Sequence, residues 1–269
     1  MVGLLIFIFG LAIGSFLNVL IIRLPQPEIS KYRNIVGGYS RCPKCQKMIS
    51  WYENIPVLSF LFLRGRCRHC RSSISWQYPI VELLTGFLFL FSFLIYGNHP
   101  VFLVYVLFLI SLLIVIAFID LKHLLILDSL ILAGFIVSLL FIFLASSFQL
   151  PASSLQTPAS NFYGLLFFGG ILLFLFLITK GRGIGLGDVK MAGWLGFVFG
   201  FENSINIFYL TFFIGFIWAI ILLVSKKAGL KSKVPLGSLM ALASVLFLLS
   251  GFNPLDFINS ELILRLWLN

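Results

Sequence analysis

Charge is scarce in this 269-residue chain. Asp, Glu, Lys and Arg make up 10% of it and hydrophobic residues 60%, with a mean hydropathy of +1.09. A soluble domain is about a quarter charged, so the scarcity excludes one and leaves a polytopic membrane protein. Acid is scarcer than base: nine Asp and Glu stand against 19 Lys and Arg, a net charge of +10. Only four of the acids are aspartates. In a membrane protein such an excess of base reports cytoplasmic loops and anionic lipid, so lipid is an expected partner and nucleic acid is not. Cysteine is confined to four positions between 42 and 70. No basic residue precedes the first apolar run and no small-x-small site follows it, which argues for a retained span rather than a secretory leader.

What is present is a series of apolar runs. A span takes roughly 20 residues to cross the ~30 Å hydrocarbon core. The runs predict an all-α polytopic membrane protein of about eight transmembrane helices, at 2–22, 79–96, 101–119, 129–144, 162–179, 191–201, 205–224 and 236–249. The sixth is too short to cross untilted unless it recruits the glycine-rich residues before it. Residues 251–269 are expected outside, lying on the membrane surface. Gly10, Gly14 and Ser15 share one face of the first run and suit close helix packing.

Three regions follow: a first transmembrane helix (1–23), a polar loop (24–78) and a multi-span membrane domain (79–269). From Arg23 to residue 78 there are ten Lys or Arg against Glu28 and Glu53. The positive-inside rule makes this loop cytoplasmic and puts both chain termini outside. Cys42-Pro43-Lys44-Cys45 and Cys67-Arg68-His69-Cys70 are two C-x-x-C knuckles separated by 21 residues. That spacing suits a zinc-ribbon-like site in which Cys42, Cys45, Cys67 and Cys70 close a tetrahedron around Zn2+. Two disulfides are the competing arrangement, and a reducing cytoplasm disfavours them. His69 is expected to be exposed, although it can replace a thiolate. A metal would be structural here, because the loop has too few apolar residues to fold by burial. Glu82, one turn into the second span, is either solvated at the interface or functional.

Asp120 ends the third run and Asp188 follows Gly181-Arg182-Gly183-Ile184-Gly185-Leu186-Gly187. Glycine at every second position makes a poor membrane helix and lets another chain approach the backbone. With Lys180 and Arg182 marking the inside face, topology delivers both aspartates to the same side. Two neighbouring carboxylates cannot both ionise cheaply, so one takes a proton from water while the other polarises a peptide carbonyl. The alternative is two solvated helix-end residues. Lys190 either pairs with Asp188 or marks the inside face, and Asp128 reads as an N-cap or interfacial residue.

Gly185-Leu186-Gly187-Asp188 is the GxGD signature of intramembrane aspartic proteases, and the whole chain resembles the prepilin peptidases (type IV leader peptidases). The likeness runs through Gly14–Val19, Arg23-Leu24-Pro25, both knuckles, Trp51–Pro56, Tyr78–Leu84, Ile119-Asp120 and Gly185–Lys190. It implies Asp120 and Asp188 as the catalytic pair, with Gly185, Gly187 and Lys190 meeting the substrate. The enzyme would sit in the bacterial inner membrane and cut the basic leader from prepilin-like proteins at the cytoplasmic face. It would also N-methylate the new N-terminus with S-adenosylmethionine, a step in which the cysteine loop is implicated. One departure stands out. The family has Ile-Pro-Asp or Ile-Pro-Asn where this chain has Ile126-Leu127-Asp128. No glycine-rich S-adenosylmethionine fold is visible, and the loop is too short for a Rossmann domain. A transporter would place its carboxylates at the midplane and carry an internal repeat; these carboxylates lie at span ends. A zinc-anchored scaffold would leave the glycine run without a purpose.

Overall fold

The computed structural model describes residues 1–26, 39–147, 158–225 and 234–250. Among them the secondary structure is helical, with no strand. The helices are α1 (Val2–Arg23), α2 (Leu58–Phe62), α3 (Gln77–Tyr96), α4 (Pro100–His123), α5 (Asp128–Ser147), α6 (Pro158–Thr179), α7 (Leu186–Val224) and α8 (Leu236–Ser250). Five of these, α1, α3, α4, α6 and α7, are long and apolar enough to cross a membrane, while Asp128–Leu144 and Leu236–Leu249 are shorter apolar stretches. The chain is therefore a multi-pass membrane protein, but not a set of eight separate long helices. Expected spans six and seven share α7, whose 39 residues change direction at Gly200 (φ 71°, ψ 178°). Segment 191–201 does recruit the glycine-rich residues, since α7 begins at Leu186. The expectations for 251–269 and for the basic residues at 226–233 lie outside the described residues.

The chain forms two compact units, 1–119 and 120–269. In the first, α1 packs along α3 through the predicted small-residue seam. A Cβ on Gly10 would lie 2.8 Å from the Gly86 Cα, and one on Gly14 2.7 Å from the Glu82 Cα. Glycine is the residue that admits such an approach, and lipid supplies no hydrophobic force to compensate for a looser fit. Asn18 is buried there, donating to the Gly14 and Tyr78 carbonyls at 3.3 and 3.2 Å. Glu82 is also buried and accepts the Val57 N–H at 2.7 Å, so it is not the solvated interfacial acid.

In the second unit α6 and α7 meet at glycine. A Cβ at Gly164 would run into the Gly196 carbonyl and lie 2.6 Å from the Gly200 carbonyl carbon. A π-helical turn, Leu165–Gly169, follows at once. The kink frees the Phe201 N–H, which donates to Ser160 Oγ at 3.0 Å. Hydroxyls within the helices bond back one turn, as Thr85 does to Val81 (2.7 Å), Ser138 to Gly134 (2.7 Å) and Thr211 to Ile207 (2.7 Å). These three are thereby satisfied in hydrocarbon, whereas Ser244 Oγ in α8 is buried without a partner among the described residues.

Candidate active site and metal centre

Asp120 lies in the last turn of α4 and is 4% exposed. The N-terminus of α8 faces it: Ser238 donates its backbone N–H to Asp120 Oδ2 at 2.7 Å and its hydroxyl at 2.9 Å. Unpaired amides and the helix dipole make such a terminus a natural seat for a carboxylate. Asp188 is the third residue of α7 and half-buried. It completes a capping arrangement in which Gly185, the N-cap, donates its N–H to Asp188 Oδ2 at 3.0 Å. The Gly237 amide faces both Asp120 and Asp188. The two aspartates therefore share one locality, built from the ends of α4, α7 and α8.

Ile126 closes it. After Asp120 the chain leaves α4 through Leu124, at φ 50°, and reaches α5 at Asp128. On the way Ile126 lies against Gly187 and Gly237. A Cβ on Gly187 would come 3.0 Å from the Ile126 Cβ, and one on Gly237 would come 2.7 Å from Ile126 Cδ1 and 3.1 Å from Asp120 Oδ2. The missing proline at 127 does not prevent helix initiation, because Leu127 accepts from the Leu130 N–H at 3.1 Å. Lys190 pairs with Asp128, not Asp188, through both carboxylate oxygens at 2.8 Å.

Gly237 and Ser238 were not singled out from the sequence. Their only signal is Pro235-Leu236-Gly237-Ser238, a start to a last apolar helix that resembles ordinary capping. Gly181, at φ 72°, serves the turn after α6, where Lys180 is left-handed. The glycine run is thus divided between a loop (181–185) and the first turn of a helix.

The four cysteines form a second centre, in the first unit. All four thiols are unbridged and their sulfurs lie within 4.8 Å of one another, an arrangement that can hold a metal ion. The two knuckles repeat one backbone pattern 25 residues apart. Cys42 N–H donates to Lys47 (3.0 Å) and Gln46 N–H to Cys42 (2.9 Å), as Cys67 N–H does to Ser72 (2.8 Å) and Arg71 N–H to Cys67 (2.9 Å). Gln46 and Arg71 are left-handed in both, and single antiparallel bridges (Arg41 with Met48, Arg66 with Ser73) pin each knuckle. The backbone amides of Cys45 and Lys44, offset in part by burial, hold the Cys42 thiol down to about 6. His69 is exposed, as expected. Ser72 Oγ sits 3.1 Å from Cys70 Sγ.

The fold and the paired carboxylates define a membrane-embedded protein with the makings of an acid hydrolase. Residues 8–96 match the bacterial peptidase A24 N-terminal domain, and residues 107–220 match the type IV leader peptidase family. Relatives named prepilin leader peptidase/N-methyltransferase include one from Aeromonas salmonicida, 33% identical over 92% of this chain and 90% of its own. Another, from Bacillus subtilis, is 33% identical over 94% and 96%. A Myxococcus xanthus relative is 52% identical over 118 residues, 44% of this chain and 33% of that protein. No solved structure matches. The chain belongs to the type IV leader peptidase family.

Proposed function

We propose that this protein is a bifunctional membrane enzyme: an aspartic endopeptidase that removes the basic leader from prepilin-like proteins and an N-methyltransferase acting on the new N-terminus. The observation that carries the peptidase reading is the Gly237 amide facing both Asp120 and Asp188. Asp120, buried and held by two Ser238 donors, is the fixed member of the pair. Asp188, half-buried, is the more accessible one. One carboxylate takes a proton from water, the other, protonated, polarises the scissile carbonyl, and the proton is later returned to the leaving amine. The Gly237 N–H is available to keep both acids oriented through the cycle.

Gly185 and Gly187 are proposed to give the extended substrate access to the backbone beside Asp188. Lys190 contributes a substrate contact. Its bond to Asp128 is exposed and a surface ion pair contributes little, so the ammonium can exchange partners. The cysteine tetrad fits Zn2+. Four thiolates at Zn–S bonds of about 2.3 Å put tetrahedral sulfurs roughly 3.8 Å apart, and Cys42 and Cys70 stand 3.8 Å apart. Cys42, Cys45, Cys67 and Cys70 would hold the ion, which supplies cross-linking of the two knuckles. S-adenosylmethionine would supply the methyl group. We assign 24–78 as the metal loop and 79–269 as the peptidase domain, in the bacterial inner membrane. Both termini are outside, and loop and aspartates are at the cytoplasmic face. The positive-inside rule supports that orientation.

The test is cleavage of a reconstituted prepilin-like substrate by wild type, Asp120→Asn and Asp188→Asn at equal membrane expression. Each amide keeps the shape and removes the ionisable group, so both variants should lose at least ~100-fold in rate. Mass spectrometry of the wild-type product should show one added methyl. Cleavage retained in either variant ends the aspartic mechanism.

A further inference from the structure

The segment between the two knuckles presents an apolar face that its own unit does not cover. Helix α2 puts Leu58, Leu61 and Phe62 at i, i+3 and i+4, on one side, and they are 51%, 63% and 83% exposed. Phe60, on the other side, is buried and packs at a tilt against Trp76, 4.9 Å between ring centroids. Trp51 and Trp76 are exposed as well. Arg64 and Arg66 follow α2 directly, and both are exposed. A helix that is apolar on both faces does not belong in water.

Its depth is set by Glu82. The Val57 N–H, immediately before α2, donates to Glu82 Oε2 at 2.7 Å. Helix α3 has 20 residues, so it spans about 30 Å, the thickness of the hydrocarbon core. Glu82 is five residues past the start of α3, roughly 7.5 Å along its axis. A bond from that depth holds Val57, left-handed at φ 61°, within about 10 Å of the acyl-headgroup boundary. Amphipathic segments lie within ~5–10 Å of that boundary. At the same end of α3, Ile80, Leu83 and Leu84 are exposed too.

We infer that α2 is an interfacial membrane anchor. Leu58, Leu61 and Phe62 enter the acyl region of the bilayer that α3 crosses, and Arg64 and Arg66 meet the phosphates of anionic lipid. Long basic side chains reach headgroups from just below them, and each is attracted to a negative leaflet. Glu82 acts as the tether: buried itself, it accepts the amide of the left-handed Val57. The metal knuckles on either side of α2 are thereby held at the membrane surface.

The experiment places a photo-crosslinking benzoylphenylalanine at Phe62, at Leu61 or at Phe87, singly, in the full chain. Phe87 faces outward from α3 and serves as the lipid reference. The proteins are irradiated in nanodiscs of phosphatidylcholine alone or with phosphatidylglycerol, and adducts are read by mass spectrometry. Lipid adducts at 61 and 62 should reach at least half the yield at 87, with the yield at 62 rising about threefold when phosphatidylglycerol is present. Yields at both positions below a tenth of the reference overturn the anchor. Adducts to a second copy of the chain overturn it too, in favour of a protein interface, and equal yields in the two lipids remove the role given to Arg64 and Arg66. The side chains at 61 and 62 are exposed on the surface of the protein, so replacement leaves packing intact, and each position checks the other.

Discussion

Asp120 and Asp188 are legible from the sequence because ionisable residues at the ends of apolar runs are few. What holds them is not. Asp120 depends on Ser238, 118 residues away, and no local pattern announces that bond. A hydrogen bond to a charged group contributes about 1.5–3 kcal/mol, so Ser238→Ala, which keeps the backbone donor, should lower kcat for leader cleavage roughly tenfold. Gly237→Ala should do more. Its new methyl would meet Ile126 Cδ1 at 2.7 Å and Asp120 Oδ2 at 3.1 Å, and side chains so close to both acids must move. Misplacement by about 1 Å costs on the order of 100-fold. Steady-state kinetics in nanodiscs, with thermal unfolding as a check on folding, separates the two effects. Wild-type kcat in Gly237→Ala would show that the added methyl is accommodated without displacing the pair. Lys190 teaches the same lesson: charge at the membrane edge was visible, but its partner, Asp128, lies 62 residues back.

Helices are the most readable level, since a run of apolar residues fixes length and place together. The first span was expected at 2–22 and α1 is Val2–Arg23; the third at 101–119 and α4 is Pro100–His123. The small-residue seam at Gly10 and Gly14 was legible too, because four-residue spacing puts both on one face. The kink was not. The two expected spans, 191–201 and 205–224, do divide near Gly200, whose φ 71° and ψ 178° break α7 into two helical halves, but nothing in the sequence marks that glycine over its neighbours. Its neighbour Gly164 was equally silent, as one glycine near the start of a long apolar run. Yet α6 and α7 touch backbone to backbone there. Gly164→Ala drives a methyl into the Gly196 and Gly200 carbonyls, and overpacking of this kind costs about 1–3 kcal/mol or more. The variant should show a thermal midpoint several degrees lower and a reduced yield of monodisperse protein. Gly170→Ala is the control, since nothing lies within 4 Å of the added carbon. An unchanged midpoint in Gly164→Ala would mean the helices separate there at little cost.

Across the whole molecule, charge and metal act on the same stretch of chain. Base outweighs acid by ten, and the loop between α1 and α3 carries much of it around a tetrad with hardly any core of its own: Cys42 and Phe60 are its buried hydrophobic residues among those described. Burial is too small to order this segment alone, so if the tetrad holds a structural ion, its binding energy is folding energy. About one zinc per chain is expected by elemental analysis, and a strong chelator should release it. The pH dependence has a definite sign. The thiolate is the ligand, and Cys42 is held near 6 by the Cys45 and Lys44 amides. Cys45, against the Lys47 amide, is pushed up to about 11 by desolvation and the neighbouring thiols, so its proton already competes with a metal at neutral pH, and below about 6 Cys42 is protonated as well. At fixed chelator concentration, release should therefore quicken as pH falls from 7 through about 6. Trp51, between the two knuckles in the chain and 80% exposed, gives a fluorescence signal for the accompanying loss of order. Because the aspartates lie in the other unit, chelation and Cys→Ser replacement should impair methylation more than cleavage. Separate assays of leader removal and methyl transfer on one prepilin-like substrate decide it: an equal loss of both would make the metal a support for the whole enzyme rather than for its loop.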